Sequence, residues 1–386
     1  MVASDAPPPF AEAGQIAVDL DDPSAAAATI ANLVPQPEAV IAIDDQGAAV
    51  AAEASRLLGL AHNPQSAVAA TRDKRLMRRL LAEAGVDQPS FRMAQPGAVP
   101  EMAAELGYPV VVKPTGLSAS RGVIKANGSA AASRAERRIR DILIAAGRSR
   151  EEALLVEEYV PGSEVAVEGL LVDGRLEVLA FIDKPDPLEG PFFEETLLIT
   201  PSRFPPETQD AVVGVVDAAR KALGLHTGPV HAEVRITPDG SPRLIELAAR
   251  PIGGLCGRAF TFGLLNESLE VMLLRSALGL STIDTTPARP ASGVLMLPIP
   301  ATGILNGVGG LDEAKAMVGV DDVSITIAYG RRVTALPEAD RYLGFVFASG
   351  HSPKAVEDTL REASSVLSVT IDGEAMRPAV TAPDQS

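Results

Sequence analysis

A single cysteine, Cys256, leaves this chain without an intrachain disulfide or a thiolate-cluster metal site. Basic residues are the scarcer charge: 34 Lys and Arg stand against 50 Asp and Glu, a net of −16. A surface that acidic repels nucleic acid and anionic membranes, so neither is expected as a partner. No apolar run reaches spanning length, and Met1–Phe10 lacks a charged-then-apolar leader pattern, so the chain reads as cytoplasmic. Two glycine-rich nucleotide signatures are also missing. Without GxxxxGKS/T a P-loop reading fails, and without G-x-G-x-x-G a Rossmann dinucleotide site fails. No repeat of solenoid period is present.

With 386 residues, 46% of them apolar, the chain suits two or three packed units. Met1–Gly14 is rich in Pro and Ala and reads as loose. Strands are predicted over Ile16–Leu20 and Ala39–Ile43, the second ending at Asp44-Asp45, with helices over Pro23–Leu33 and Gln46–Leu58. That alternation predicts a small α/β unit with a parallel sheet over residues 1–65. Ser66–Ala84 has helical periodicity throughout, with Thr71–Lys74 in its middle and Gly85 just past its end. Pro89–Met93 and Pro109–Lys113 read as strands. Lys113 ends a buried apolar run immediately before a loop of small residues, where Gly116, Ser118, Ser120 and Gly122 can bring backbone N–H groups against phosphate oxygens. The same loop alone would pass for an ordinary turn; the lysine at the strand end favours the anion site.

Ala131–Ala146 reads as a charged, solvated helix and Leu154–Val160 as a strand. Val165–Leu171 and Leu176–Phe181 make a hairpin about Asp173-Gly174. Lys184–Glu195, rich in Pro and acid, has the composition of a mobile loop. Helices follow over Asp210–Leu223 and Asn266–Leu278. A break at Ser281–Pro290 opens a last α+β unit, with strands at Ser292–Pro298, Val323–Ile327, Gly344–Ser349 and Leu367–Ile371 and a helix over Pro353–Val366.

Gly228–Gly254 carries the densest chemistry. Two alternating runs, Val230–Ile236 and Arg243–Leu247, flank a turn at Asp239-Gly240. A two-residue turn there sets Glu233 directly opposite Glu246, and facing carboxylates repel unless something compensates. Mg²⁺, commonly held by one or two carboxylates plus water and phosphate oxygens, does so. The bland alternative is a solvated face on which Arg235 or Arg243 answers each acid. Arg250 lies four residues beyond Glu246, where its fork can hold anionic oxygens. His231 falls on the Glu233 face by alternation, and a packed or phosphate-adjacent role is its plainer reading. His62, His226 and His351 carry no pattern, and Cys256 reads as a small packed residue.

Taken in order and spacing, Lys74, Lys113 with its loop, Glu157-Glu158-Tyr159-Val160-Pro161-Gly162-Ser163-Glu164, and the pair Glu233 and Glu246 resemble the ATP-grasp superfamily over roughly Ile16–Leu278. The resemblance implies an α/β and α+β multidomain ATP-grasp fold. Its divisions would be a truncated N-terminal α/β subdomain (1–65), a small ATP-grasp subdomain (66–152), a large one with the metal hairpin (153–280) and a C-terminal α+β cap (281–386). It implies that Lys74 and Lys113 contact phosphates and that Ser118, Ser120, Gly122 and Val123 fold over them. Glu157 would accept from the adenine amino group, the backbone from Glu158 through Tyr159 to Val160 would read the ring edge, and Glu164 would hold the ribose. Glu233 and Glu246 would carry Mg²⁺, with Mn²⁺ as a substitute.

Within the superfamily the chain looks most like the L-amino acid ligases and related carboxylate-amine ligases. Ala248-Ala-Arg-Pro251, Pro191-Phe-Phe-Glu-Glu-Thr196 and Gly344-Phe-Val-Phe-Ala-Ser349 carry that likeness. The implied chemistry is ADP-forming: a carboxylate takes the γ-phosphoryl group of ATP, and an amine attacks the acyl phosphate. Arg250 matches the arginine that steadies the acyl phosphate, Glu195 a glutamate that holds an α-ammonium group, and Gly253 and Gly254 the substrate turn. No nucleophilic side chain is required, which agrees with the lack of a Ser-His-Asp arrangement. The partners implied are a small carboxylate and an amine, and the resemblance allows a homodimer. Carboxylase-type or purine-pathway ATP-grasp chemistry, and a catalytically silent ATP-binding module whose C-terminal unit docks a partner, are the competing readings.

Three departures from the family pattern stand out. Ala248 replaces an asparagine common two residues after the second metal glutamate. Leu198 replaces a histidine expected three residues after the substrate glutamate, which alters the acceptor or acyl pocket. The N-terminal unit has no first strand with a Gly-rich turn before Ile16.

Overall fold

In the computed structural model of the chain the described residues are 2–4, 14–260, 267–280 and 289–378. Alternation in the hairpin of Gly228–Ile236 and Pro242–Ala248, on which the metal glutamates were expected, puts Val230, Ala232 and Val234 on one face. There they pack with Leu244 and Leu247 against Val212, Val216, Ala219 and Leu223 of the helix Pro206–Leu223. His231, Glu233 and Arg235 consequently face the other way.

That hairpin ends an eight-stranded antiparallel sheet. Its order is Pro242–Ala248, Gly228–Ile236, Ser163–Val172, Arg175–Lys184, Leu197–Thr200, Ala291–Leu297, Gly344–Gly350 and Val320–Ile325. Leu197–Thr200, unmarked in the sequence reading, pairs with Ala291–Leu297, so the sheet continues without interruption into the C-terminal unit. A four-stranded sheet, ordered Phe91–Ala94, Leu154–Glu158, Val110–Lys113 and Ile124–Ala126, lies under the helices Val99–Leu106 and Ser129–Ala145. A second four-stranded sheet, Arg332–Val333, Gly303–Gly309, Ser368–Ile371 and Glu374–Met376, shares a core with the helix Pro353–Val366.

Several local expectations change. The single helix expected over Ser66–Ala84 is two helices, Gln65–Arg72 and Lys74–Glu83. Asp73 breaks it: its backbone is extended and its side chain accepts from the N–H groups of Arg75 and Leu76, so it caps the second helix and Lys74 becomes that helix's first residue. Among the described residues the strand expected at Ala39–Ile43 has no ladder partner, and the expected lack of a strand before Ile16 is corrected by Val2–Ser4, which pairs in parallel with Gln15–Ala17. The Ser129–Ala145 helix is not solvated all round, because Ala132, Ala135, Ile139 and Leu143 enter the core and Arg140 pairs with Glu136 in a buried position. The Lys184–Glu195 segment is tethered, since Lys125 N donates to Pro191 O at 2.9 Å and Lys125 Nζ to Glu189 O at 2.8 Å. The rest of Met1–Gly14 apart from Val2–Ser4 and Gly14, Asn266 of the expected Asn266–Leu278 helix, and residues 281–288 of the expected break lie outside the described residues. Among the described residues no helix is long and apolar enough to cross a membrane.

The metal hairpin itself holds a surprise of register. Its loop is three residues long, Pro238–Gly240, closed by Gly240 N to Thr237 O at 2.8 Å and Thr237 N to Ser241 O at 3.0 Å. Near the loop Val234 pairs with Leu244, one residue away from the register a two-residue turn would impose. A bulge between Glu233 and Val234, absorbing Ile245 on the partner strand, then restores the Glu233–Glu246 pairing.

Candidate active site

A cavity of about 620 Å³ lies where the metal hairpin and the four-stranded sheet face each other. Its walls bring together Lys74, Lys113, Ser118, Ser120, Val123, Glu157, Glu158, Tyr159, Val160, Glu164, Glu195, Glu233, Glu246, Arg250, Gly253 and Gly254. Of the phosphate-loop residues named from sequence, Gly116 is not on the wall, and neither is Gly122. Its N–H donates to Pro337 O at 2.9 Å, so that amide is committed to the C-terminal unit instead of the cavity.

Two lysines on the wall neutralise acids. Lys74 Nζ lies 3.2 Å from Glu246 Oε1 and donates to Leu117 O at 2.9 Å. Lys113 Nζ lies 2.6 Å from Glu157 Oε2, and Arg78 Nε lies 2.5 Å from Glu157 Oε1. Burial raises the Glu157 pKa, but Arg78 and Lys113 outweigh it and hold the carboxyl below its ordinary range. Arg78 also donates to Ile245 O at 2.7 Å, so it ties the sheet that carries Glu157 to the hairpin bulge. The sequence reading missed this residue. The available signal was its position four residues after Lys74, on a helix face otherwise occupied by Met77 and Leu81.

Lys184 was missed as well, having been assigned to the loop. It ends the strand Arg175–Lys184, as Lys113 ends its own strand. Its Nζ lies 2.6 Å from Glu164, 2.6 Å from Glu195 and 2.9 Å from Glu233, whose oxygens all fall within 4.8 Å of one another. Burial would lower the lysine pKa, yet Glu164, Glu195 and Glu233 raise it further. Glu195 sits at about 7: burial dominates, Lys184 opposes it, and Glu233 and Glu164 add to it.

Neither arginine of the solvated-face alternative answers the metal-hairpin acids. Arg235 Nε lies 3.0 Å from Glu164 and its NH1 donates to Val160 O at 2.7 Å, while Arg243 lies 3.8 Å from Asp87. His231 Nδ1 contacts Glu168, its Nε2 lies 3.7 Å from Glu233, and Glu168 Oε2 accepts from Ile252 N at 3.1 Å. Burial lowers the His231 pKa, but Glu168 raises it more, to about 9. Glu233 and Glu246 thus present carboxylate oxygens beside cationic side chains, a donor set of hard oxygen atoms that suits Mg²⁺ better than a soft metal.

Part of the cavity wall is apolar. Leu198, Met296, Phe345 and Cys256 come from one buried cluster and reach the wall. A Cβ on Gly254, whose φ is +65°, would meet Phe345 Cζ at 2.9 Å, so the glycine lets that ring close against the turn. Burial pushes the Cys256 thiol up, in keeping with a packed role. Arg250 is also on the wall, its Nε 2.9 Å from Asp45 Oδ1 and its Nη1 donating to Pro251 O at 3.0 Å.

Residues 106–259 match the ATP-grasp domain family, and residues 295–372 match L-amino acid ligase C-terminal domain 2. The chain thus carries an ATP-grasp domain followed by an L-amino acid ligase C-terminal domain. It is 30% identical over 299 residues to an uncharacterised protein of Sinorhizobium fredii, covering 75% of this chain and 59% of that one. It is 30% identical over 221 residues to alanine–anticapsin ligase of Bacillus subtilis, covering 52% and 46% respectively. The crystal structure of L-amino acid ligase from Bacillus licheniformis superposes with a TM-score of 0.76 at 27% identity, covering 93% of this chain and 87% of that chain. The chain spans about half the length of the curated relatives it matches.

Proposed function

We propose that this chain is an ATP-dependent, ADP-forming ligase that joins an amino acid carboxylate to an amine. The observation that carries the reading is a single cavity whose wall brings together lysines, carboxylates, Arg250 and a group of apolar side chains. Lys74 and Lys113 supply compact charges for a triphosphate, while Lys184, which is not on the wall, balances Glu164, Glu195 and Glu233. Glu158 N–H donates to Ser90 O and Val160 O accepts from Arg235, which leaves the Glu158 carbonyl and the Val160 amide as hinge groups for the adenine edge. Tyr159 is held between Lys125, 3.6 Å from its ring centre, and Arg235, at 5.3 Å, and so stiffens the hinge. Glu164 offers its carboxylate to ribose hydroxyls. Glu233 and Glu246 would hold Mg²⁺, which screens phosphate charge when bound.

In the chemistry proposed, a carboxylate oxygen of the first amino acid attacks the γ-phosphorus of ATP, and the bond from phosphorus to the β,γ-bridging oxygen breaks to release ADP. The amine nitrogen then attacks the carbonyl carbon of the acyl phosphate, loses a proton, and expels phosphate as the amide forms. Arg250 faces the oxygens on which charge develops in both steps. Glu195 offers a carboxylate to the α-ammonium group, and Leu198, Met296 and Phe345 offer an apolar surface to a side chain. We retain the division into residues 1–65, 66–152, 153–280 and 281–386 as part of this proposal, with a location in the cytoplasm. A matrix of carboxylates against amines, reporting ADP and the mass of any condensed product, tests the reading. ADP formed together with an amide-linked product supports it; ADP formed only with bicarbonate or formate sinks it.

A further inference from the structure

The guanidinium at the centre of the proposed chemistry is held from behind by the N-terminal unit. Arg250 Nε lies 2.9 Å from Asp45 Oδ1, and Arg250 NH1 donates to Pro251 O at 3.0 Å. Asp45 opens the helix Asp45–Leu58, and the residue before it, Asp44, caps that helix by accepting from Gly47 N at 2.6 Å. The division of labour matters. Because Asp44 already satisfies the helix end, the Asp45 carboxylate is available to a residue of another unit, and it meets Arg250 on the cavity wall that Ile43, Asp44 and Asp45 also line. An acid in a first helical turn can serve the helix dipole alone. Such an acid has no reason to meet an arginine brought in by a distant hairpin.

We propose that Asp45 is a positioning residue for Arg250. Together with the Pro251 carbonyl it fixes the guanidinium plane, so that the remaining N–H donors are presented as a fork to the transferred phosphoryl group and the acyl oxygen. An arginine stem left to itself samples many rotamers, and an electrostatic donor lowers a barrier only if it is in place before charge develops. The N-terminal unit is then a working part of the site and not a passive appendage. This rests on the ligase reading above.

The test uses the full chain with Asp45→Asn, Asp45→Ala and Arg250→Ala, alone and combined. Asparagine keeps an acceptor oxygen and loses the charge, whereas alanine loses both. Turnover should fall by about 10-fold in Asp45→Asn and about 10²-fold in Asp45→Ala, the scale of a misplaced catalytic group, with ATP affinity by calorimetry within about 2-fold of wild type. In the Arg250→Ala background either Asp45 change should alter turnover by less than about 2-fold, because its partner is already gone. A second readout needs no product: MgADP binding should tighten with aluminium fluoride in wild type, lose that tightening in Arg250→Ala, and lose part of it in Asp45→Asn. Asp45 variants that match wild type in both readouts overturn the positioning role. Full, additive losses in the double variants also overturn it, since Asp45 would then act on substrate or on folding by itself. If wild type yields neither condensed product nor fluoride-enhanced binding, the ligase reading has failed and this inference goes with it.

Discussion

The ammonium of Lys184 lies 2.9 Å from Oε1 of Glu233 and is shared with Glu164 and Glu195, so one buried lysine balances three acids gathered from separate stretches of chain. Removing one member of a buried charged set leaves the others uncompensated, at a cost of about 3–5 kcal/mol. Lys184→Met should show a loss of that order in urea denaturation. Lys74→Met should lose less, because that lysine faces Glu246 where the carboxylate is 25% exposed. Added Mg²⁺ should raise the melting temperature of Lys184→Met more than that of wild type, since a divalent cation can take the place of the ammonium. Equal losses in the two variants, with no extra response to Mg²⁺, would remove the trio from its central place.

Glu233→Gln and Glu246→Gln should each abolish ATP turnover while leaving the fold intact. Lys184 keeps Glu164 and Glu195 when Glu233 is neutralised, and Lys74 keeps the Leu117 carbonyl when Glu246 is neutralised. Circular dichroism and melting would check the fold, and ADP release at saturating Mg²⁺ the chemistry. Turnover unchanged in either variant withdraws the metal assignment from that residue.

Arg250→Ala should reduce amide formation by about 10²- to 10³-fold, the usual effect of removing one preorganised electrostatic donor. ATP affinity should change far less, because the arginine acts on charge that develops in the reaction. Lysine restores the charge without the planar fork, so Arg250→Lys should recover only part of the rate. Calorimetry and product mass spectrometry separate the two effects; a loss of affinity in proportion to rate would place Arg250 on the nucleotide instead.

Glu157 predicts a pH dependence of stability. Its folded pKa is held below the ordinary 4.5 by Arg78 and Lys113, although burial acts the other way. The stabilisation is therefore fully present above the unfolded value and is lost as pH falls through the folded one. Glu157→Gln should be less stable than wild type at neutral pH, and its stability should fall less steeply on acidification below about pH 4.5. Parallel acid limbs in the two proteins would show that Glu157 is not the titrating partner.

That Lys113 and the Glu157–Glu164 stretch could share one site was legible in the chain because strand ends and short spacings encode it. Lys113 closes a buried apolar run before a small-residue loop, and Glu157 to Glu164 spans a single strand end and turn. The facing of Glu233 and Glu246 was legible for a partly mistaken reason. The loop is one residue longer than a two-residue turn, and the bulge at Ile245 compensates for it, so two departures cancel where the carboxylates meet. Local alternation could say that Glu233 faces away from the helix Pro206–Leu223, but not that the bulge exists.

What the tertiary structure alone decided are the partners of the charges. Lys184 faces Glu164 because a register shift between Glu168 and Gly169 displaces the pairing of the local hairpin by one residue, and Arg235 faces Glu164 from the other side through pairing between strands far apart in sequence. Arg78 reaches Glu157 only because Asp73 breaks the expected helix and turns its second half toward the sheet, and Arg250 reaches Asp45 only when the N-terminal helix docks beside the hairpin. Periodicity within a segment determines which face a side chain occupies, since that depends on the backbone repeat alone. Which counter-ion it finds there depends on sheet register and packing between units, and those are settled by burial of the whole core, to which no single segment holds the key.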